Sequence, residues 1–237
     1  MQTRGPILGV WAHPDDEVYL SGGIMADAVA RGERVVVAMA TRGEAGTSDP
    51  ATWPPERLAS VRERELEDAL GVLGVTELDW LGYPDGECAS ADEDEAVGRL
   101  EELVREISPA VVLTFGPDGM TGHPDHVAVS RWTSAAFARA GRRDSRLLYA
   151  TLTQRYIEEF AALVADPAIF LGNQPPVVPD DEVVLEFEVN DGLLDAKRKA
   201  ILSHASQVEP FLDTIGIDLI LAANRREYFR DSGISPS

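Results

Sequence analysis

Two segments, His13-Pro14-Asp15-Asp16 and His123-Pro124-Asp125-His126, each place two potential metal donors three residues apart, and together they hold three of the chain's four histidines. Zinc takes imidazole nitrogen and carboxylate oxygen at about 2.0 to 2.2 Å, and a catalytic zinc site uses three such ligands and leaves room for water. The two segments supply more donors than that. A carboxylate left over beside the ion can take a proton from water, and a spare imidazole can protonate a leaving group or stabilise an oxyanion. Spacing alone does not say which donor is ligand and which is acid or base. Either segment by itself reads equally well as a helix start with aspartates as caps. Two copies placed alike in the chain favour a shared metal centre.

The elements around them explain why the copies should meet. Continuous apolar runs at 7–12, 35–40, 77–81, 110–115 and 147–152 suit strands buried on both faces. Helical patterns fill the gaps at 16–31, 56–73, 92–107 and 125–140, the third with its acidic start facing solvent. The alternation predicts an α/β, Rossmann-like doubly wound, mostly parallel sheet of order 3-2-1-4-5 with helices on both faces. A strand at 183–189 and a helix from Asp191 form a C-terminal extension of the same single domain, 1–237, and 231–237 is expected to be a frayed tail. In that order strands one and four are neighbours at the switch point, where ligand sites form beyond the strand ends. Each motif follows one of those two strands. Each proline suits a first helical position, and residues three apart in a nascent turn share a face.

Composition narrows the partners. A net charge of −20, from 41 acidic and 21 basic residues, opposes binding to nucleic acid or anionic lipid. Cys88 is alone, so neither an internal disulfide nor a thiolate cluster is available. No segment reaches membrane-spanning length, and Met-Gln-Thr-Arg before a short apolar run is a poor leader, so the expectation is a cytoplasmic protein. Cys88 has no basic neighbour in sequence, no serine lies in a nucleophile elbow, and the dinucleotide and triphosphate glycine motifs are missing.

The segments Ala12-His13-Pro14-Asp15-Asp16-Glu17 and His123-Pro124-Asp125-His126 resemble the two signatures of the PIG-L/LmbE-like N-acetylglucosaminyl deacetylase family. Weaker pieces of that pattern are Thr41-Arg42-Gly43-Glu44, Arg62 with Glu65, Leu81-Gly82-Tyr83-Pro84-Asp85 and His204-Ala205-Ser206-Gln207, so the resemblance runs along nearly the whole chain. It implies Zn2+ held by His13, Asp16 and His126, with Asp15 as general base toward the attacking water. It also implies that His123 assists the oxyanion and protonates the leaving amine. The choice of His126 over His123 as ligand comes from the family and not from spacing.

Supporting residues carry two readings each. Arg62 and Glu65 fall on the apolar stripe of their helix, where charges must be paired or used; either they pair, or Arg62 reaches a substrate hydroxyl or phosphate. Glu44 and Trp53, in the long loop 41–55, are sugar contacts or solvated loop residues. Asp85 is a turn former or a hydroxyl acceptor, and His204 a packing histidine or a group behind the metal ligands. The function expected is zinc-dependent removal of acetyl from an N-acetylglucosamine-type small molecule, releasing acetate and free amine. The alternatives are hydrolysis of another amide or acyl conjugate at the same centre, or a non-catalytic zinc-binding protein. Homo-oligomer formation stays open.

Overall fold

The computed structural model describes residues 5–47 and 49–237. The chain runs β1 (Ile7–Trp11), α1 (Asp16–Ala30), β2 (Val35–Met39), α2 (Pro55–Leu73), β3 (Glu77–Trp80), α3 (Glu93–Ile107) and β4 (Val111–Phe115). A short turn, α4 (Gly119–Gly122), leads into α5 (Pro124–Ala140) and β5 (Arg146–Ala150). Next come β6 (Leu152–Thr153), α6 (Gln154–Glu159), α7 (Ala161–Val164), α8 (Pro167–Phe170), β7 (Val177–Val178) and β8 (Val183–Glu188). The chain then forms α9 (Asp191–Ser203), α10 (Ala205–Leu212), α11 (Ile217–Ala223) and β9 (Arg226–Asp231).

The main sheet has the order β3-β2-β1-β4-β5-β9-β8. Its first five strands are parallel and in the order expected from the sequence. Every residue of β1, β2 and β4 is buried, which is why those strands read as unbroken apolar runs. Helix α3 packs on α5, while α1 and α2 pack on α9, so the C-terminal extension helps to cover the second pair of helices. The acidic start of α3 is a cap, Asp92 accepting from the Glu95 amide at 3.1 Å.

Three sequence expectations are corrected here. The C-terminal extension adds two antiparallel strands to the same sheet, β9 beside β5 and β8 beside β9. Strand β9 escapes notice because Arg226, Glu227, Arg230 and Asp231 flank only Tyr228 and Phe229. The tail after it is also tied down: Ser232 donates to Leu147 O at 3.0 Å and Ser237 to Ala138 O at 2.9 Å. In addition, the run at 147–152 is two strands, with β6 leaving the main sheet to pair with β7.

A buried ion pair joins this extension to α1. Lys197 and Glu227 have fully buried side chains, 2.6 Å apart. In a regular helix the Gly23 amide would bond Tyr19 O. Here Lys197 takes the Tyr19 carbonyl at 3.1 Å, and Glu227 accepts from the Gly23 and Ile24 amides at 2.6 and 2.9 Å. The pair therefore docks on the backbone of the helix that carries Asp16.

Among the described residues no helix is long and apolar enough to cross a membrane.

Candidate active site

Strands β1 and β4 are adjacent, and the chain leaving each one brings its His-Pro-Asp segment to the same sheet edge. The two segments then behave differently. Pro124 opens α5 as its first helical residue, with His123 as the cap. Pro14 does not open α1, contrary to expectation; α1 starts at Asp16, and Asp15 precedes it with φ 121° and ψ −30°. A non-glycine residue there stores roughly 1 to 3 kcal/mol of strain and persists only where its surroundings hold it.

The hold comes from Arg62. Its buried guanidinium donates to Pro14 O, to Gly43 O at 3.0 Å and to the Asp15 carboxylate at 3.2 Å. Gly43 and Gly46 make this passage possible, since a Cβ at either would collide with the guanidinium. Glu17 adds a second clamp, accepting from the Asp15 amide at 2.9 Å through one oxygen and meeting His204 Nε2 at 2.9 Å through the other. Of the two readings of Arg62, the pair with Glu65 is not formed. Glu65 instead accepts from the amide and hydroxyl of Ser206, both at 2.7 Å, at the start of α10. Spacing along α2 suggested a partner that tertiary contacts replaced.

His13 Nδ1 and His126 Nε2 face each other at 3.0 Å. The opposite ring nitrogens fix the tautomers. His13 Nε2 lies 3.0 Å from Asp85 Oδ1 and 3.2 Å from Asp125 Oδ2, both acceptors, so it carries a proton. His126 Nδ1 lies 3.0 Å from Gly119 O and carries one too. Two lone pairs therefore point into one gap, and only a proton or a cation can relieve them. Asp16 closes the third side, with Oδ2 3.8 Å from His13 Nδ1 and Oδ1 3.5 Å from His126 Nε2. A tetrahedral ion with arms of about 2.0 to 2.1 Å needs donors separated by about 3.3 to 3.4 Å; the two nitrogens stand 3.0 Å apart, and the Asp16 carboxylate flanks them with a different oxygen toward each. The donor set fits a zinc-sized ion.

Asp16 is set by the His13 amide at 2.8 Å, and Phe115 stacks on His126 with centroids 4.1 Å apart. Asp125, read only as a helix-start residue, is fully buried and also accepts from the Gly86 and Cys88 amides at 2.7 and 3.1 Å. Asp85 accepts from Ala45 N at 2.9 Å besides facing His13. Donor atoms of His13, Asp85 and Asp125 lie within 4.8 Å of one another, as do those of His13, His123 and His126. His123 is half-buried and accepts from the Asp125 amide at 3.2 Å through Nδ1, which leaves the ring proton on Nε2. Glu44 does not stand free: one oxygen accepts from Asp85 N at 3.0 Å, and the other is buried without a partner. Trp53 stacks under Arg57 at 4.9 Å. Glu17 and Asp125 are the site residues the sequence reading did not single out, although both stand inside the quoted motifs.

The electrostatics follow from burial among carboxylates. Burial pulls the His13 imidazolium down, but hydrogen bonds to Asp125 and Asp85 and the Asp16 charge outweigh it and raise the pKa to about 10. Burial lowers His126 far below the usual value, with His13 and His123 adding to the effect. Burial also raises Asp15, to about 7, against the pull of Arg62. In the metal-free chain the shared proton thus sits on His13. Its contribution to stability is complete below the unfolded imidazole value of about 6.5 and is lost as pH rises through about 10. A metal must displace that proton. Zinc titration at pH 8 in buffers of differing ionisation enthalpy is expected to release close to one proton per ion, with affinity rising about tenfold per pH unit in this window; proton-neutral binding would contradict the shared-proton gap.

A doubly wound α/β domain with a histidine and carboxylate cluster at its switch point has the parts of a metal site beyond the strand ends. The chain belongs to the GlcNAc-PI de-N-acetylase family, which it matches over residues 8–137. It is 33% identical over 253 residues to the 1D-myo-inositol 2-acetamido-2-deoxy-alpha-D-glucopyranoside deacetylase of Kineococcus radiotolerans, covering 87% of this chain and 70% of that one. Among solved structures, the N,N'-diacetylchitobiose deacetylase of Pyrococcus horikoshii superposes with a TM-score of 0.65 at 23% identity, covering 95% of this chain and 83% of that one. The 4-carboxy-2-hydroxymuconate hydratase GalB of Pseudomonas putida also gives 0.65, at 18% identity, covering 96% of each. Neighbours this distant share the fold alone, and the hydratase shows that the fold does not decide the reaction.

Proposed function

We propose that the protein is a zinc-dependent N-deacetylase acting on an N-acetylglucosamine-type sugar or conjugate and releasing acetate and a free amine. The gap between His13 Nδ1 and His126 Nε2, at 3.0 Å with both outer nitrogens committed as donors, carries this reading. His13, Asp16 and His126 would hold the ion, and two nitrogens with one carboxylate are a donor set that zinc favours. When bound there, zinc would polarise the amide carbonyl and make water a stronger acid.

The chain's own groups divide the proton work. Asp15 takes the proton of the attacking water, its pKa of about 7 being that of a base poised near neutral pH. His123 Nε2, the protonated nitrogen of a neutral imidazole, donates a hydrogen bond to the developing oxyanion, and Asp15 passes the proton it took from water to the amine nitrogen as the carbon–nitrogen bond breaks. Asp85 and Asp125 orient His13, and Arg62 with Glu17 keeps Asp15 in its strained turn. In this reading Arg62, Glu44 and Asp85 support the site and do not grip the sugar. Arg62→Lys should accordingly lower kcat by about 10- to 100-fold, with KM within about threefold. A rise in KM at unchanged kcat would restore the substrate-binding role.

The relative from Kineococcus is named for removing acetyl from an N-acetylglucosaminyl inositol, which supports the same substrate class here. The test is amine release from N-acetylglucosaminides by the purified chain. Chelation should abolish release and one equivalent of zinc should restore it. A zinc-loaded protein inert toward every N-acylated amino sugar would refute the reading.

A further inference from the structure

A cavity of about 370 Å³ opens beside the cluster, with Asp15, Asp16 and His126 in its wall. Most of the remaining wall is apolar, including Leu20, Phe115, Leu152, Leu163, Phe211 and Ile220. Some of its polar members are engaged within the protein, while Tyr19, Tyr156, Gln207 and Arg226 also stand in the wall. Glu227 holds Lys197 and two amides, Asn224 donates to Ile220 O at 2.8 Å, and Thr121 lies 3.3 Å from His126.

Size and lining together restrict the occupant. A methyl group fills about the volume of one water, ~30 Å³, and an apolar cavity of ~150 Å³ already takes benzene. An acetyl methyl would leave most of this space empty. A sugar ring would press several hydroxyls against a wall that is mainly apolar, and each one left unpaired costs roughly 1 to 3 kcal/mol. The apolar half of an N-acyl sugar meets neither objection. The cavity is also continuous with the proposed reacting centre, because Asp15 and His126 belong to both.

We propose that this cavity receives the acyl chain of the substrate, so that the enzyme prefers amino sugars N-acylated with chains on the order of six carbons or longer over the acetylated ones. This rests on the amide-hydrolase reading above and goes beyond it, putting a longer acyl chain in the place of acetyl.

The test compares N-acetyl-, N-butyryl-, N-hexanoyl- and N-octanoyl-glucosamine. Amine release is followed with the zinc-loaded protein, and binding to the metal-free protein, where no turnover intervenes, by calorimetry. Transfer of a methylene from water to an apolar site is worth up to about fourfold, so kcat/KM and affinity should each rise at least tenfold from acetyl to hexanoyl. Ile220→Trp, which fills the cavity from α11, should cut the hexanoyl-to-acetyl ratio at least tenfold. Leu163→Trp, from α7, serves if the first variant does not fold. Acetyl turned over as well as the longer chains, with binding indifferent to length, overturns the acyl pocket and leaves the deacetylase reading intact. Binding that tightens with length without hydrolysis of any amide upholds the pocket and sinks the hydrolase reading.

Discussion

Asp15→Asn is expected to lower kcat by about 10²- to 10⁴-fold, the usual contribution of a positioned general base, while leaving one zinc per chain. The substitution keeps the shape of the side chain and an oxygen to accept from Arg62, which lies 3.2 Å from the present carboxylate. Asparagine also tolerates positive φ better than most residues, so the turn at φ 121° should survive. The three proposed ligands, His13, Asp16 and His126, are untouched. What disappears is a group able to take a proton near neutral pH. Zinc content by plasma mass spectrometry and amine release on the same preparation check the prediction. Activity within tenfold of the parent would remove Asp15 as the base, and loss of zinc would make it a ligand.

Lys197→Met should have the largest effect on stability. The pair with Glu227 has no solvent exposure on either side chain, and removing one partner of a buried pair costs about 3 to 5 kcal/mol because the other charge is left uncompensated. For a chain of this size that corresponds to a fall in Tm on the order of 10 °C. The Tyr19 carbonyl loses the Lys197 donor as well, so the hold on α1 is expected to loosen. Since α1 begins with Asp16, zinc affinity should fall along with Tm. The double variant K197M/E227Q should recover part of the stability, because the amide side chain still accepts from Gly23 or Ile24 without a buried charge. Thermal unfolding of the three proteins decides this; a single variant within about 1 kcal/mol of the parent would show the pair to be of little consequence.

Much of the site was legible from local pattern, and what was missed is non-local. Apolar runs disclosed five parallel strands and their order, although the edge strand β3 is half-buried along its length and not buried on both faces, and that order brought His13 and His126 to one edge. The stripe on α2 showed that Arg62 had to be paired, but sequence proximity suggested Glu65, whereas the partners were the Pro14 and Gly43 carbonyls. The contacts Glu17 to His204 and Gly23 to Glu227 span 187 and 204 residues, beyond any periodicity. The positive φ of Asp15 had no glycine to announce it. Asp125 looked like an ordinary first-turn acid because a carboxylate that orients an imidazole and one that faces solvent are written with the same letter. Strand β9 was hidden by the charges at its ends.

In the proposed function one ion sits between His13 and His126 against Asp16. A zinc-soaked crystal measured at wavelengths on either side of the zinc absorption edge tests it most directly. The account predicts a single anomalous peak about 2.0 to 2.2 Å from His13 Nδ1, His126 Nε2 and an Asp16 oxygen. A peak on the other side of the His13 ring, among Nε2, Asp85 and Asp125, would contradict it, as would a crystal with no ordered zinc at all.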